Sequence, residues 1–308
     1  MRFTSHTIQE ILPQLEKALE EENRVSFEVL NPDIATNTYA GEKINIENIE
    51  YLYRGYKAWT DLAQILKSKL CTPKTVSKTL VLLTFEKLET KESFHQGTSC
   101  PIEEKYGATS YFSKINKMEE PSFYYYYEQA LHNINITQRK RVLNLGINTG
   151  DEFKVINNLI KNPLEMIGID HSKTAIKEAK KRLPQQHIQF YTQDITTLNA
   201  LNLGKFDVLI SIGTLQSSTI NFKPFFMELI QQYLEKDSAI ILGFPNSRWI
   251  GGEMVYGAKA PNYSMNEMSL VLNDIIFAKK YLQQHKYRVT ITGKEYLFLT
   301  ATKIVKSF

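Results

Sequence analysis

The sequence predicts an α/β protein with a mostly parallel sheet, and three observations predict it. Short apolar, β-prone runs alternate with amphipathic runs from residue 141 to residue 284, the pattern of strands feeding crossover helices. The first strand, Arg141–Leu145 (RVLNL), runs into a glycine-bearing turn, Gly146-Ile147-Asn148-Thr149-Gly150, and then an acidic helix start at Asp151-Glu152. The second, Met166–Ile169, ends on Asp170, twenty positions beyond Gly150 and near the distance at which a βαβ unit sets a carboxylate on a ribose. Glycine suits such a turn because a backbone comes close to a ligand where no Cβ intervenes. Together these features predict a nucleoside-binding βαβ unit.

Ahead of that unit the pattern is different. Ile8–Glu22 carries a helical stripe of Ile8, Ile11, Leu12, Leu15, Ala18 and Leu19. Arg24–Leu30 alternates like a strand and stops at Asn31-Pro32. After a turn-rich section with Asn37 and Gly41, the apolar positions Leu52, Tyr56, Trp59, Leu62, Ala63 and Leu66 predict a long helix over 49–69. Residues 79–88 read as a second strand and 89–105 as a polar loop. The expected organisation is therefore a smaller N-terminal α+β region, residues 1–120, and a main domain, residues 121–308.

The main domain should open with a helix over 121–132, where Pro121 suits the first turn. Its four tyrosines, Tyr124 to Tyr127, must point around most of the helix. The simplest expectation is packing between the two regions; the alternative is that one or two hydroxyls gate a ligand entrance. Beyond Asp170, a helix over 174–183, strands over 187–191 and 206–212, a helix over 222–234, a strand over 238–244 and a helix over 266–284 continue the alternation. Two strands, 287–292 and 296–302, joined through Gly293-Lys294, end it.

Composition bounds the function. The chain of 308 residues is long enough for one large domain or two unequal ones. Residues 1–120 hold 15 Lys and Arg against 18 Asp and Glu, so the overall +4 leaves +7 for residues 121–308. A dedicated RNA-binding appendage is more often the basic part, which argues against that role for the N-terminal region. Cys71 and Cys100 form no CxxC and point to a reducing compartment. The first residues have no apolar core of signal-peptide length and no run reaches a membrane span, so the expected location is cytoplasmic, with no membrane partner. The six histidines are scattered without HExxH, and GxxxxGK[ST] is missing, so neither a metal site nor a P-loop is expected.

The stretch Asn144-Leu145-Gly146-Ile147-Asn148-Thr149-Gly150 resembles the first motif of the class I S-adenosylmethionine (AdoMet)-dependent methyltransferases, an acidic residue followed by Gly-x-Gly-x-Gly. Two of the three glycines are kept; Asn144 stands for the acid and Asn148, which tolerates a left-handed backbone, for the middle glycine. The resemblance covers residues 121–308. It implies a Rossmann-like, mostly parallel seven-stranded sheet with a C-terminal antiparallel hairpin, AdoMet as cofactor, and methyl transfer by direct displacement. Carried onto this sequence, it gives a cofactor site of Asn144, Gly146, Asn148, Gly150, Asp170, His171, Asp194, Ile195 and Ser211. Asp170 would hold the ribose hydroxyls and His171 cover the adenine or ribose edge. Asp194 would accept from the adenine amino group and Ile195 supply a backbone donor and apolar cover. The competing readings are a helix cap for Asp170, though Ser172 is better placed, and a solvated turn for Asp194.

On the acceptor side, many nucleic-acid amino-methyltransferases carry Asp/Asn-Pro-Pro-Tyr/Phe/Trp where this chain has Gly213-Thr214-Leu215-Gln216. Thr214 and Gln216 are acceptor-contact candidates, and closure of the loop over the core is an equal alternative. The segment after the fifth strand mixes glycines with Arg248, Trp249, Glu253, Tyr256 and Lys259. Long irregular segments of this kind tend to be functional. Arg248, Trp249, Tyr256 and Lys259 are expected to bind the acceptor, and Glu253 is the candidate base. A small-molecule acceptor is favoured over protein or RNA, with the N-terminal region as a lid. The alternatives are a methyltransferase-like protein that binds AdoMet or a partner without catalysis, and a nicotinamide-dependent oxidoreductase. The latter is disfavoured by GxNxG in place of GxGxxG.

Overall fold

In the computed structural model, residues 1–89, 104, 107–108, 110–217, 219–258 and 267–304 are described. The chain divides into two compact units, one of Met1–Ser93 with Trp249–Val255 and the other of Phe94–Arg248 with Tyr256–Phe308. Most of the polar loop expected over 89–105 lies outside the described residues.

In the first unit, α1 (Ile8–Glu21) starts at a capping box in which Thr7 N–H donates to Glu10 Oε2 at 2.7 Å, and it buries Ile11, Leu15 and Leu19. Next come β1 (Arg24–Leu30), β2 (Lys43–Ile46), β3 (Ile49–Leu52), α2 (Tyr56–Ile65), β4 (Ser68–Leu70), β5 (Lys74–Thr75) and β6 (Leu80–Lys87). β6 lies between β1 and β4 and also pairs with β5. Phe27, Trp59, Leu83 and Phe85 close the core against α1. The single helix expected over 49–69 is instead β3, α2 and β4. Glu47 and Asn48 both take positive φ, 51° and 64°, which makes a tight hairpin turn and pairs Ile49–Leu52 with Lys43–Ile46. Gly55 then caps α2, and Lys67 at φ 51° ends it. Apolar residues at helical spacing across β3 and α2, ending on the C-cap Leu66, imitated one long stripe.

The second unit contains α3 (Pro121–Asn133), β7 (Arg141–Leu145), α4 (Asp151–Leu159), β8 (Glu165–Asp170), α5 (Lys173–Arg182), β9 (Ile188–Thr192), β10 (Phe206–Ile212), α6 (Phe222–Gln232) and β11 (Leu234–Pro245). The hairpin strands β12 (Ser247–Ile250) and β13 (Glu253–Tyr256), whose residues Trp249–Val255 belong to the first unit, follow in the chain, and α7 (Ser269–Gln284), β14 (Tyr287–Gly293) and β15 (Tyr296–Lys303) complete the second. Its seven-stranded sheet has the order β14-β15-β11-β10-β7-β8-β9. From β11 to β9 the pairings are parallel, whereas β15 runs antiparallel to both β11 and β14. This is the expected mostly parallel sheet with a terminal antiparallel hairpin. One face packs Leu143, Leu145, Ile167, Ile169, Leu209 and Leu242 against Phe226, Leu229, Ala278 and Leu282 of α6 and α7. On α3, Phe123 lies edge-on to Tyr296 and Phe298 with ring centroids 5.0 and 5.3 Å apart. Tyr127 is fully buried and its hydroxyl donates to the Glu152 carbonyl at 3.3 Å, while Tyr124 and Tyr125 are exposed. The tyrosine run thus divides between packing inside this unit and solvent. Among the described residues, no helix is long and apolar enough to cross a membrane.

Candidate functional site

Strand order in the large sheet reverses between β7 and β10, because the chain moves outward through β8 and β9 on one side and β10 and β11 on the other. In an open parallel sheet, the carboxyl ends at such a reversal form the crevice where ligands bind. β7 delivers Asn144 and the glycine turn to this place; β8 delivers Asp170; β10 delivers Ser211 and the Gly213–Gln216 loop.

The turn is held by its own backbone. Gly146, Asn148 and Gly150 all have positive φ, 78°, 49° and 90°, so Asn148 adopts the left-handed conformation expected of it. The Gly146 and Ile147 amides donate to the Ile169 carbonyl at 2.8 and 3.2 Å, which ties the turn to the end of β8. Gly146 serves the protein as well: a Cβ there would collide with the side chain of Thr214. Thr214 therefore packs against the turn at Gly146.

Asp170 is 8 % exposed, and both carboxylate oxygens accept backbone bonds. Oδ2 accepts from the Asn148 amide at 3.0 Å and Oδ1 from the Ser172 amide at 2.9 Å. Ser172 caps α5, its hydroxyl accepting from Ala175 N at 3.1 Å, so the carboxylate braces the turn and the helix start together. Burial raises the Asp170 pKa, and the two amide bonds oppose that rise without cancelling it. Each carboxylate oxygen keeps a second lone pair for a ligand.

The other cofactor candidates divide. Asn144 is 1 % exposed and its Nδ2 makes no hydrogen bond among the described residues, a buried donor at the strand end beside the turn. His171 is exposed. Asp194 is exposed and Oδ1 accepts from both the amide and the hydroxyl of Thr196 at 2.8 Å. The Ile195 side chain is buried in the large core. Ser211 is 2 % exposed and donates its hydroxyl to the Leu145 carbonyl at 3.1 Å, a bond across the sheet.

Among the acceptor candidates, Gln216 is half-buried and its Oε1 has no hydrogen-bond partner among the described residues; the same holds for Nε of the half-buried Arg248. Asn246, between them in the chain and 2 % exposed, has an Oδ1 in the same state. These three follow the neighbouring strands β10 and β11. Tyr256 is exposed, with its hydroxyl 3.7 Å from Met268 Sδ. Trp249 and Glu253 fall in the first unit, where the Glu253 charge adds to Glu86 in holding the Lys69 amine above its usual range. Lys259 lies outside the described residues.

Sequence reasoning missed a buried polar group beside the turn. Glu152, the second residue of α4, is 8 % exposed, and burial pushes its carboxyl up to about 7 against the pull of Lys117. Lys117 is half-buried with its amine 5.2 Å from the Tyr296 ring centroid. Burial works against its charge, but Tyr296 and Glu152 outweigh burial and hold the amine above its usual value. Glu104 accepts from the Ser172 hydroxyl at 3.0 Å and also from the Thr174 hydroxyl, placing a second carboxylate at the α5 start. A signal for Glu152 existed: it lies four residues before Ile156 and three before Val155, on the buried stripe of α4.

A family model described as a methyltransferase domain matches residues 136–290. No curated protein matches the chain. Similar solved structures include a magnesium protoporphyrin IX methyltransferase from Synechocystis PCC 6803 with bound SAM, 15% identical, covering 66% of this chain and 95% of that one, with a TM-score of 0.42. A SAM-dependent methyltransferase from Aquifex aeolicus is 14% identical, covering 62% and 98%, with a TM-score of 0.43. The plantazolicin methyltransferase BpumL, in complex with a monoazolic desmethylPZN analogue and SAH, is 14% identical, covering 61% and 87%, with a TM-score of 0.42. The match to the family model takes in half of the chain, with the glycine turn, Asp170 and the β10 loop all inside it, and the protein belongs to the methyltransferase domain family.

Proposed function

We propose that the protein is an AdoMet-dependent methyltransferase acting on a small molecule, with its cofactor site at the carboxyl ends of β7 and β8. The observation that carries this reading is the left-handed glycine turn locked onto the buried Asp170 at the sheet's reversal point. The residues fit the cofactor. Asp170 keeps two lone pairs for two ribose hydroxyls, and Asn144 offers a buried donor that has no partner among the described residues. Asp194 is available to the adenine amino group, with the Ile195 amide beside it.

AdoMet supplies a methyl group already activated on its sulfonium, so what is asked of the chain is binding, alignment and exclusion of water. Thr214 packs against the turn at Gly146. Gln216 and Arg248 are the acceptor contacts we favour, because each carries a polar atom without a hydrogen-bond partner among the described residues. Polar groups of this kind cost free energy until something meets them, and a compact polar acceptor would.

A thermal-shift titration tests the assignment. AdoMet and S-adenosylhomocysteine (SAH) should raise the melting temperature in a concentration-dependent way, whereas NAD and divalent metals should not. A response to NAD without one to the AdoMet pair would overturn it.

A further inference from the structure

Glu104 is a charged residue to which the function above gives no task. It lies in the second unit, ahead of α3 in the chain, and is half-buried against the start of α5. Its Oε2 accepts from the Ser172 hydroxyl at 3.0 Å and from the Thr174 hydroxyl, and Thr174 N donates to Oε1 at 3.4 Å. The same segment adds a backbone bond, Ala108 N donating to Thr174 Oγ1 at 2.9 Å. Gly107 between them is buried, and a Cβ there would collide with Glu104 Oε2, Thr174 Oγ1 and Ser172 Oγ. Burial works against the Glu104 charge, but the bonds from Thr174 and Ser172 outweigh it and hold the carboxyl below its usual range.

What this carboxylate grips is the residue that holds Asp170. Ser172 is fully buried, and its amide donates to Asp170 Oδ1 at 2.9 Å. Its hydroxyl accepts from Ala175 N at 3.1 Å and gives its single proton to Glu104. An unbroken chain of hydrogen bonds therefore runs from Glu104 through Ser172 and Asp170 to the Asn148 amide in the glycine turn. Capping α5 takes only the acceptor side of the Ser172 hydroxyl, so the bond to Glu104 adds a constraint that the cap does not need.

We propose that Glu104 is a positioning residue for the cofactor: by fixing Ser172 at the α5 start, it holds the Asp170 carboxylate in the orientation that meets the ribose hydroxyls. The inference rests on the cofactor site proposed above. With Oδ2 tied to the turn and Oδ1 to Ser172, the place of Ser172 sets the plane of the carboxylate, and with it the aim of the two lone pairs left for the ribose. Without Glu104, the Ser172 hydroxyl has Thr174 Oγ1 to turn to, 3.3 Å away, and that aim is lost.

The test is calorimetric titration of the full chain with SAH and with an SAH analogue whose ribose lacks both hydroxyls. Wild type should bind SAH roughly tenfold or more tightly than the dideoxy analogue, since the hydroxyls meet a carboxylate. Glu104→Ala should weaken SAH roughly fivefold, about the worth of one net hydrogen bond, and leave the analogue within about twofold. Glu104→Gln, whose amide oxygen still accepts both hydroxyl bonds, should recover most of that loss. Gly107→Ala displaces Glu104 without touching Asp170 and should repeat the loss confined to SAH, which decides the matter if Glu104→Ala does not fold. Unchanged SAH affinity, or an equal loss of SAH and the analogue, overturns the proposal, the second result being that of a purely structural tie. Wild type that binds neither ligand, or both equally, defeats the cofactor site at Asp170 itself and this inference with it.

Discussion

Asp170→Ala should destabilise the unliganded protein, because the carboxylate is a structural brace before it is a ligand contact. The substitution strips the acceptor from two amides, Asn148 N at 3.0 Å and Ser172 N at 2.9 Å. Leaving a buried donor at Ser172 and a half-buried one at Asn148 without their acceptor costs up to about 1–3 kcal/mol each. Part is returned, since burial already makes the ionised form costly enough to raise the Asp170 pKa. We take the net loss as about 2–4 kcal/mol, which for a unit of this size lowers the melting temperature by roughly 4–15 °C. Asp170→Asn should lose nearly as much, because its single amide oxygen serves one donor and its NH2 group faces the other. Trp59 and Trp249 both belong to the first unit, so scanning calorimetry rather than tryptophan fluorescence is the assay. An Asp170→Ala variant that melts within about 1 °C of wild type, which corresponds to less than about 0.5 kcal/mol, would refute the bracing argument.

Glu152→Gln should stabilise the unliganded chain above neutral pH. Between the ordinary 4.5 and the folded value of about 7, the folded chain holds a proton that the unfolded chain has lost, so wild-type stability falls as pH rises through that window and stays reduced above it. The variant should decline less steeply across pH 4.5–7 and be more stable at pH 8 by about 3 kcal/mol, the shift from 4.5 to about 7 being worth ~1.36 kcal/mol per unit; melting curves against pH check this. Gly146→Ala should cost about 2–4 kcal/mol, combining a left-handed backbone penalty with overpacking against Thr214; adding Thr214→Ala should recover the overpacking share in urea titrations.

The large sheet was legible because its strands are buried on both faces and read as nearly unbroken apolar runs, as in Phe206–Ile212 and in Ser238–Phe244 of β11. The glycine turn was legible because left-handed angles leave few residue types to choose from. The 49–69 region misled for the opposite reason: Glu47 is an unusual residue at positive φ, so the hairpin carried only Asn48 as a signal. At the site, sequence spacing selected Asp170 but could not show that both its oxygens are already engaged, since the donors are backbone amides that any residue provides. Glu152 was read as a helix-start charge because acids there are normally solvated; its burial follows from Lys117 and Tyr127, which lie 35 and 25 positions away in sequence. The separation of Trp249–Val255 into the first unit likewise depends on contacts distant in sequence, such as the approach of Gly251 to Leu88 and Glu89.

Diffraction from crystals of the wild-type protein grown with SAH tests the central claim most directly. The account requires the ribose hydroxyls within hydrogen-bond reach of Asp170, the adenine on the Asp194 side, and the amino-acid end beside Asn144 and the Gly146–Gly150 turn. SAH bound elsewhere, or a turn that remains solvent-filled at saturating ligand, would contradict it.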